Sequence, residues 1–188
     1  MKKIAFYGNS CTGKTSSLYA IASELTCAGK SFRIANMPYD NSGHVTNPKP
    51  FSTNFLESTP ASRLHFIFEM LANETRLMTN PDVDFYLTDM TNMDLFYLYK
   101  WVSRLCQIKN LYYIEQLCTS WMSSYHVIFK MKDDDFYFQD GSRHDKTVVK
   151  KAMAPYYRKG GDFSGHDIEG PVGDRRKVVL EIFKELYL

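Results

Sequence analysis

A chain of 188 residues with 44% hydrophobic content is long enough for one domain with a sizeable core. Charged residues make up 23% and the net charge is only +2, so total charge gives no argument for a nucleic-acid partner. No stretch approaches the roughly 18 apolar residues of a membrane span, and Cys11, Cys27, Cys106 and Cys118 form no CxxC pair, so a soluble, cytoplasmic protein with reduced thiols and no membrane contact is expected.

In chain order, Lys2 to Tyr7 is a short apolar run ending in Gly8 and reads as a strand. Thr15 to Ala28 reads as a helix, because Leu18, Ala22 and Leu25 recur at helical spacing and Gly29 stands where a glycine would stop it. Ser31 to Asn36 is a second strand. Residues 39–60, rich in Ser, Thr and Asn and broken by Pro48, Pro50 and Pro60, read as a long functional loop. Ala61 to Met78 is expected to be helical, with Leu64, Ile67, Phe68 and Leu71 on its apolar face. Val83 to Leu87 is a third strand, Thr91 to Leu105 a helix opened by a Thr91-x-x-Asp94 capping box, and Asn110 to Met122 another helix. Tyr125 to Lys130 is a fourth strand. A polar, charged stretch runs from Asp133 to Lys159, and Asp174 to Tyr187 closes the chain as a helix. Strands alternating with helices predict an α/β fold with a parallel sheet and helices on both faces.

Between the first strand and the first helix lies Gly8-Asn9-Ser10-Cys11-Thr12-Gly13-Lys14-Thr15, which fits G-x-x-x-x-G-K-[ST]. Glycines let the backbone curl so that successive N–H groups face a phosphate chain. The following helix adds its positive dipole end, with Ser16 in its first turn. Lys14 is suited to the β- and γ-phosphates of ATP, and the Thr15 hydroxyl to Mg²⁺.

Asp89 stands at the end of the third strand, where parallel sheets place their ligands, so it is a candidate to hold Mg²⁺ or to take a proton from an attacking hydroxyl, the alternative being a cap for the helix that follows. Asp40, after the second strand, is a rival base. The stretch around Arg143, Lys146, Lys150, Lys151, Arg158 and Lys159 reads either as a basic flap over the phosphates or as a solvated helix face.

FYGNSCTGKTS, HFIFEMLANE, DVDFYLTDMTNMDLFYLY, FYFQDGSRHD and GDRRKVVLEIF together resemble the small P-loop nucleoside and nucleotide kinases, especially the nicotinamide-riboside-kinase-like and related bacterial and phage kinases. The resemblance implies a single three-layer P-loop NTPase domain over residues 1–188, with a lid at about 133–160 and an acceptor-binding loop at about 39–60. It implies that Lys14 and Thr15 bind ATP and Mg²⁺, that Asp89 lies at the catalytic end of the sheet, and that Arg143 belongs to the lid. Ile168 to Arg176 would lie near the adenine. One departure is Met90, where relatives often carry arginine after the strand aspartate.

Three functions follow. The first is an ATP-dependent kinase for a small nucleoside or nucleotide acceptor, with Phe51, Phe55, His65 and Phe66 as candidates to stack on a base, although core packing is preferred for Phe66. The second is a kinase acting on nucleic acid, at a 5′ hydroxyl or a hydroxymethylated pyrimidine. The third is a non-kinase module, a GTP-dependent switch or another P-loop NTPase; the switch fits poorly because Asp162–Gly165 and Asp167–Gly170 fall late in the chain and no NKxD motif exists. The oligomeric state is left open.

Overall fold

Alternate residues of the first strand are committed to opposite faces of a sheet. Strand β1 (Lys2–Tyr7) sends Ile4 and Phe6 to one side and Ala5 and Tyr7 to the other, and all four are buried. Such two-sided burial is the mark of a central parallel strand. The computed structural model describes residues 1–9, 12–35, 59–79, 82–105, 107, 111–132, 146–158 and 163–188.

After β1 come helix α1 (Lys14–Cys27), β2 (Phe32–Ala35), α2 (Pro60–Thr79), β3 (Phe85–Thr88), α3 (Asn92–Leu105), α4 (Tyr112–Met122), β4 (Val127–Met131), α5 (Lys146–Arg158), β5 (His166–Ile168) and α6 (Val172–Tyr187). The strands form one five-stranded sheet in the order β2-β3-β1-β4-β5, and every pairing is parallel. The chain therefore winds first to one side of β1 and then crosses to the other. The carboxyl ends beside β1 are the place where such a sheet opens a crevice.

One core lies between the sheet and the pair α1 and α6, where Ile4, Phe6, Phe85, Leu87 and Phe129 meet Leu18, Ile21, Leu25, Val179 and Phe183. Phe6 and Phe129 stack there at 5.2 Å between ring centroids. The opposite core joins Ala5, Tyr7, Tyr86 and Ile128 to α2, α3, α4 and α5. Helix α3 runs through this layer with neighbours α2, α4 and α5, so Asn92–Tyr99 are buried on every side. The apolar run that the sequence shows there is thus an enclosed core helix.

Helix α1 ends as its glycine predicts. Gly29 takes φ 65°, and Lys30 and Gly29 donate to the carbonyls of Leu25 (2.9 Å) and Thr26 (3.1 Å), which is a Schellman stop. The capping box of α3 also forms. Asp94 N donates to Thr91 Oγ1 (3.2 Å), and Thr91 N donates to Asp94 Oδ2 (2.7 Å).

Several boundaries differ from the sequence reading. The third strand starts at Phe85 instead of Val83, because the Asp84 carboxylate accepts Ser31 N and Ser31 Oγ, each at 2.9 Å, and so ties off the entry to β2. On α2 the buried stripe is Ile67, Leu71 and Glu74, while Phe68 is 44% exposed with its ring edge against Tyr99. Strand β5 is new relative to the sequence reading, and helix α5 matches its alternative of a helix in the basic stretch, although Lys150 is buried. Of the three residues of β5 only Ile168 is buried, and α5 carries Pro155 in its interior, which argues against a helix when read from sequence alone.

Candidate functional site

Beyond Tyr7 the chain must leave the sheet sharply, and Gly8 does so with φ 145°. A Cβ at Gly8 would lie 2.4 Å from the Met131 carbonyl oxygen of the neighbouring strand, so only glycine fits. At the other end of the loop Gly13 takes φ 88° and forms the N-cap of α1. Between them, Thr12 Oγ1 donates to the Asn9 carbonyl at 2.9 Å, which closes the turn on itself. Ser10 and Cys11 lie outside the described residues.

Lys14 folds back over this turn. Its Nζ donates to the carbonyls of Gly8 and Asn9, each at 2.6 Å. One residue on, the Thr15 hydroxyl donates to Asp89 Oδ2 at 2.5 Å. Thr15 and Ser16 are exposed and Asp89 is half-buried, so this corner faces solvent. Ser16 Oγ donates to the Gly13 carbonyl at 2.9 Å. The predicted residues Gly8, Asn9, Thr12, Gly13, Lys14, Thr15, Ser16 and Asp89 are therefore brought to one place, at the carboxyl ends of β1 and β3.

Met90, in the position where arginine was expected in relatives, is partly buried against the helical core, and its backbone N–H and carbonyl both pair with Thr88 Oγ1. His65 sits on the outer face of α2 beside Glu69 at 3.3 Å, and Phe66 packs against the core. Arg143, Asp40, Phe51 and Phe55 lie outside the described residues, as do most of the expected acceptor loop and residues 133–145 of the expected lid.

Three residues of the site were not recognised from sequence in their full role. Asp94, read as a helix cap, also accepts the Gly8 N–H at 3.3 Å and the Tyr157 hydroxyl at 2.5 Å, both on Oδ1. Burial pushes its carboxyl above the usual range, and the nearby Lys14 ammonium and the hydrogen bonds from Thr91 and Tyr157 work against that rise. Arg175, buried in the first turn of α6, reaches the Thr12 carbonyl through Nη1 at 3.1 Å. Glu74, in the middle of α2, accepts the hydroxyls of Tyr86 (2.5 Å) and Tyr125 (2.9 Å). Its carboxyl is pushed up to about 7 by burial, with Asp89 and Asp94 adding to the rise.

Helix α5 is seated on the loop. Asn9 Nδ2 donates to the Lys150 carbonyl at 3.0 Å, and Lys150 itself is buried. Tyr157 stands over Tyr7 at 5.2 Å and over Tyr97 at 5.4 Å between centroids. The sequence signal for this seat is the basic run, which carries no information about the three tyrosines.

The sequence matches no protein-family model and no curated protein. Solved structures do match. Deoxyadenosine kinase from M. mycoides with bound dATP superposes with a TM-score of 0.60 at 13% identity, covering 97% of this chain and 99% of that one. Thymidylate kinase from Ehrlichia chaffeensis gives 0.56 at 16% identity, covering 97% and 98%. Shikimate kinase from Acinetobacter baumannii in complex with shikimate gives 0.55 at 12%, covering 99% and 93%. At these identities the likeness is one of fold: the chain has the three-layer α/β architecture, with a five-stranded parallel sheet, found in these P-loop kinases.

Proposed function

We propose that the protein is an ATP-dependent phosphotransferase whose acceptor is a nucleoside, a nucleotide or a small metabolite of similar size. The observation that carries this reading is the hydrogen bond from the Thr15 hydroxyl to Asp89, beside a Lys14 ammonium held at the mouth of a glycine-bounded turn.

Those groups suit Mg·ATP. Thr15 and Asp89 offer two hard oxygens at one point, and no cluster of three or more His, Cys, Asp or Glu able to cage a metal occurs among the described residues. A site of this kind suits Mg²⁺, which usually keeps waters and shares its shell with substrate phosphates. Mg²⁺ would there draw charge from the phosphate oxygens. Lys14 would exchange its two carbonyl partners for β- and γ-phosphate oxygens, a move of one flexible side chain. Asp94, bound to the Gly8 N–H, holds the first bend of the loop in place. In this scheme Asp89 serves the cation, and Asp40, the rival base, is left to take the proton of an acceptor hydroxyl. The names of the neighbours, deoxyadenosine kinase, thymidylate kinase and shikimate kinase, support the choice of small acceptors. The nucleic-acid alternative loses part of its motive, because Lys150 of the basic run is buried against the loop instead of forming an open basic face. The GTP-switch alternative is weakened too, since Asp167 lies in β5 opposite Lys130 (3.4 Å), remote in sequence from β3.

The test is phosphate transfer from ATP across a panel of nucleosides, nucleoside monophosphates, shikimate-like polyols and short oligonucleotides. Turnover on a small acceptor, lost in Lys14→Ala, supports the reading. Absence of turnover on every small acceptor would count decisively against it.

A further inference from the structure

Resting on that reading, we propose that Arg175 is a positioning residue for phosphate binding, aiming the Gly13 amide into the loop by holding the Thr12 carbonyl from behind. The guanidinium is buried and meets backbone carbonyls from three separate segments: Thr12 O in the loop (3.1 Å) and Lys132 O beyond β4 (2.8 Å), both through Nη1, and Gly170 O before α6 (2.7 Å) through Nε. The Thr12–Gly13 peptide is not cis, so its C=O and N–H point to opposite sides. A carbonyl pinned to Arg175 therefore sends the Gly13 N–H away from α6. Gly13, at φ 88°, is the joint that lets the chain turn from that peptide directly into α1.

Left unpinned, this peptide has an alternative. A flip of the Thr12–Gly13 unit would turn its carbonyl toward a bound phosphate and its N–H away, replacing an attraction by a repulsion. The Thr12 side chain does not prevent this, since its hydroxyl is used on the Asn9 carbonyl and leaves its own carbonyl to Arg175. The planar fork of a guanidinium bonds several carbonyls in fixed directions at once, which an ammonium on a flexible stem does not reproduce. The same fork fastens the loop to the exit of β4 and to the turn before α6, so three parts of the site share one rigid support.

The experiment uses the full chain, Arg175→Lys and Arg175→Met, with magnesium tripolyphosphate and Mg·ATP as probes. Calorimetry gives the affinities, thermal unfolding confirms that the variants are folded, and ¹⁵N-glycine labelling follows the Gly13 amide. In the unmodified protein the Gly13 amide should shift strongly on adding tripolyphosphate. Both variants should bind the probes about tenfold or more weakly, with a reduced Gly13 shift. Lysine keeps the charge, so wild-type affinity in Arg175→Lys would overturn the aiming role, as would a wild-type Gly13 amide that stays unmoved while the probe binds. The second observation needs no variant and decides the matter if neither variant folds. Failure of the unmodified protein to bind either probe would instead sink the phosphate-loop reading, and this proposal with it.

Discussion

The Thr15 hydroxyl and the Asp89 carboxylate, separated by 74 positions in the chain, meet at 2.5 Å. They meet because β1 and β3 are adjacent and parallel, paired from Lys2↔Phe85 to Ala5↔Thr88, so the loops that leave them emerge side by side. Neither the start of α1 nor the turn after β3 makes this contact alone. Their shared position at the carboxyl end of the sheet does.

Thr15→Ala removes the hydroxyl, and Asp89→Asn the carboxylate charge, that the proposed Mg²⁺ would use, and both leave the cores untouched. Phosphate transfer should fall by about a hundredfold or more, with a raised magnesium requirement. Titrating activity against Mg²⁺ at fixed ATP checks this. Unchanged magnesium dependence in both variants would contradict the assignment.

Gly8→Ala should cost about 2 kcal/mol or more, through positive φ and the clash with the Met131 carbonyl. Chemical denaturation reads the cost. A stable variant that still binds ATP would show that the first bend of the loop tolerates a side chain, contrary to the geometry.

Tyr157→Phe removes the hydroxyl that α5 supplies to buried Asp94. Depriving a buried acceptor of a hydrogen-bond partner costs about 1–3 kcal/mol, so α5 should loosen from the loop by something of that order. Amide hydrogen exchange should rise across 146–158 while α1 and α6 stay protected. Equal protection of α5 in both proteins would mean that ring packing and the Asn9–Lys150 bond hold it without the Tyr157 hydroxyl.

Glu74 gives the molecule a pH-dependent stability. Its folded-state value of about 7 lies above the ordinary 4.5, so the folded chain holds this proton more tightly than the unfolded chain does. Below about pH 4.5 the contribution is fully present, and it is lost as pH rises to about 7. That gap corresponds to roughly 3 kcal/mol at most. Glu74→Gln stays neutral at all pH and should flatten the profile, leaving the variant more stable than the parent at pH 8. Urea unfolding at pH 5 and pH 8 measures both. A parent that gains no stability relative to the variant on going down to pH 5 would refute the protonated Glu74.

The parts of the site that were legible in the sequence are those whose chemistry is local. Gly8, Lys14 and Thr15 declare themselves because one short turn needs all three at fixed spacing. Asp89 follows from its place at a strand end. Asp94 was legible only as a helix cap, because its bonds to Gly8 and Tyr157 span 86 and 63 positions. Arg175 sits in an ordinary-looking Asp-Arg-Arg run, and only the fold brings it within 3.1 Å of the Thr12 carbonyl. Glu74 occupies an apolar helical stripe, where a carboxylate carries no hint of the two tyrosine hydroxyls that meet it. Helix α5 was legible only as one of two alternatives for the basic stretch, with Pro155 arguing against it, and β5 was hidden by its length of three residues.

The central claim is that the turn from Gly8 to Thr15 binds the phosphate chain of ATP. Calorimetric titration of Mg·ATP into the intact protein and into Lys14→Ala tests it most directly. The intact protein should give clear binding heat and Lys14→Ala should bind about tenfold or more weakly, with both proteins folded. Equal affinity for the two, or no heat from the intact protein, would contradict it.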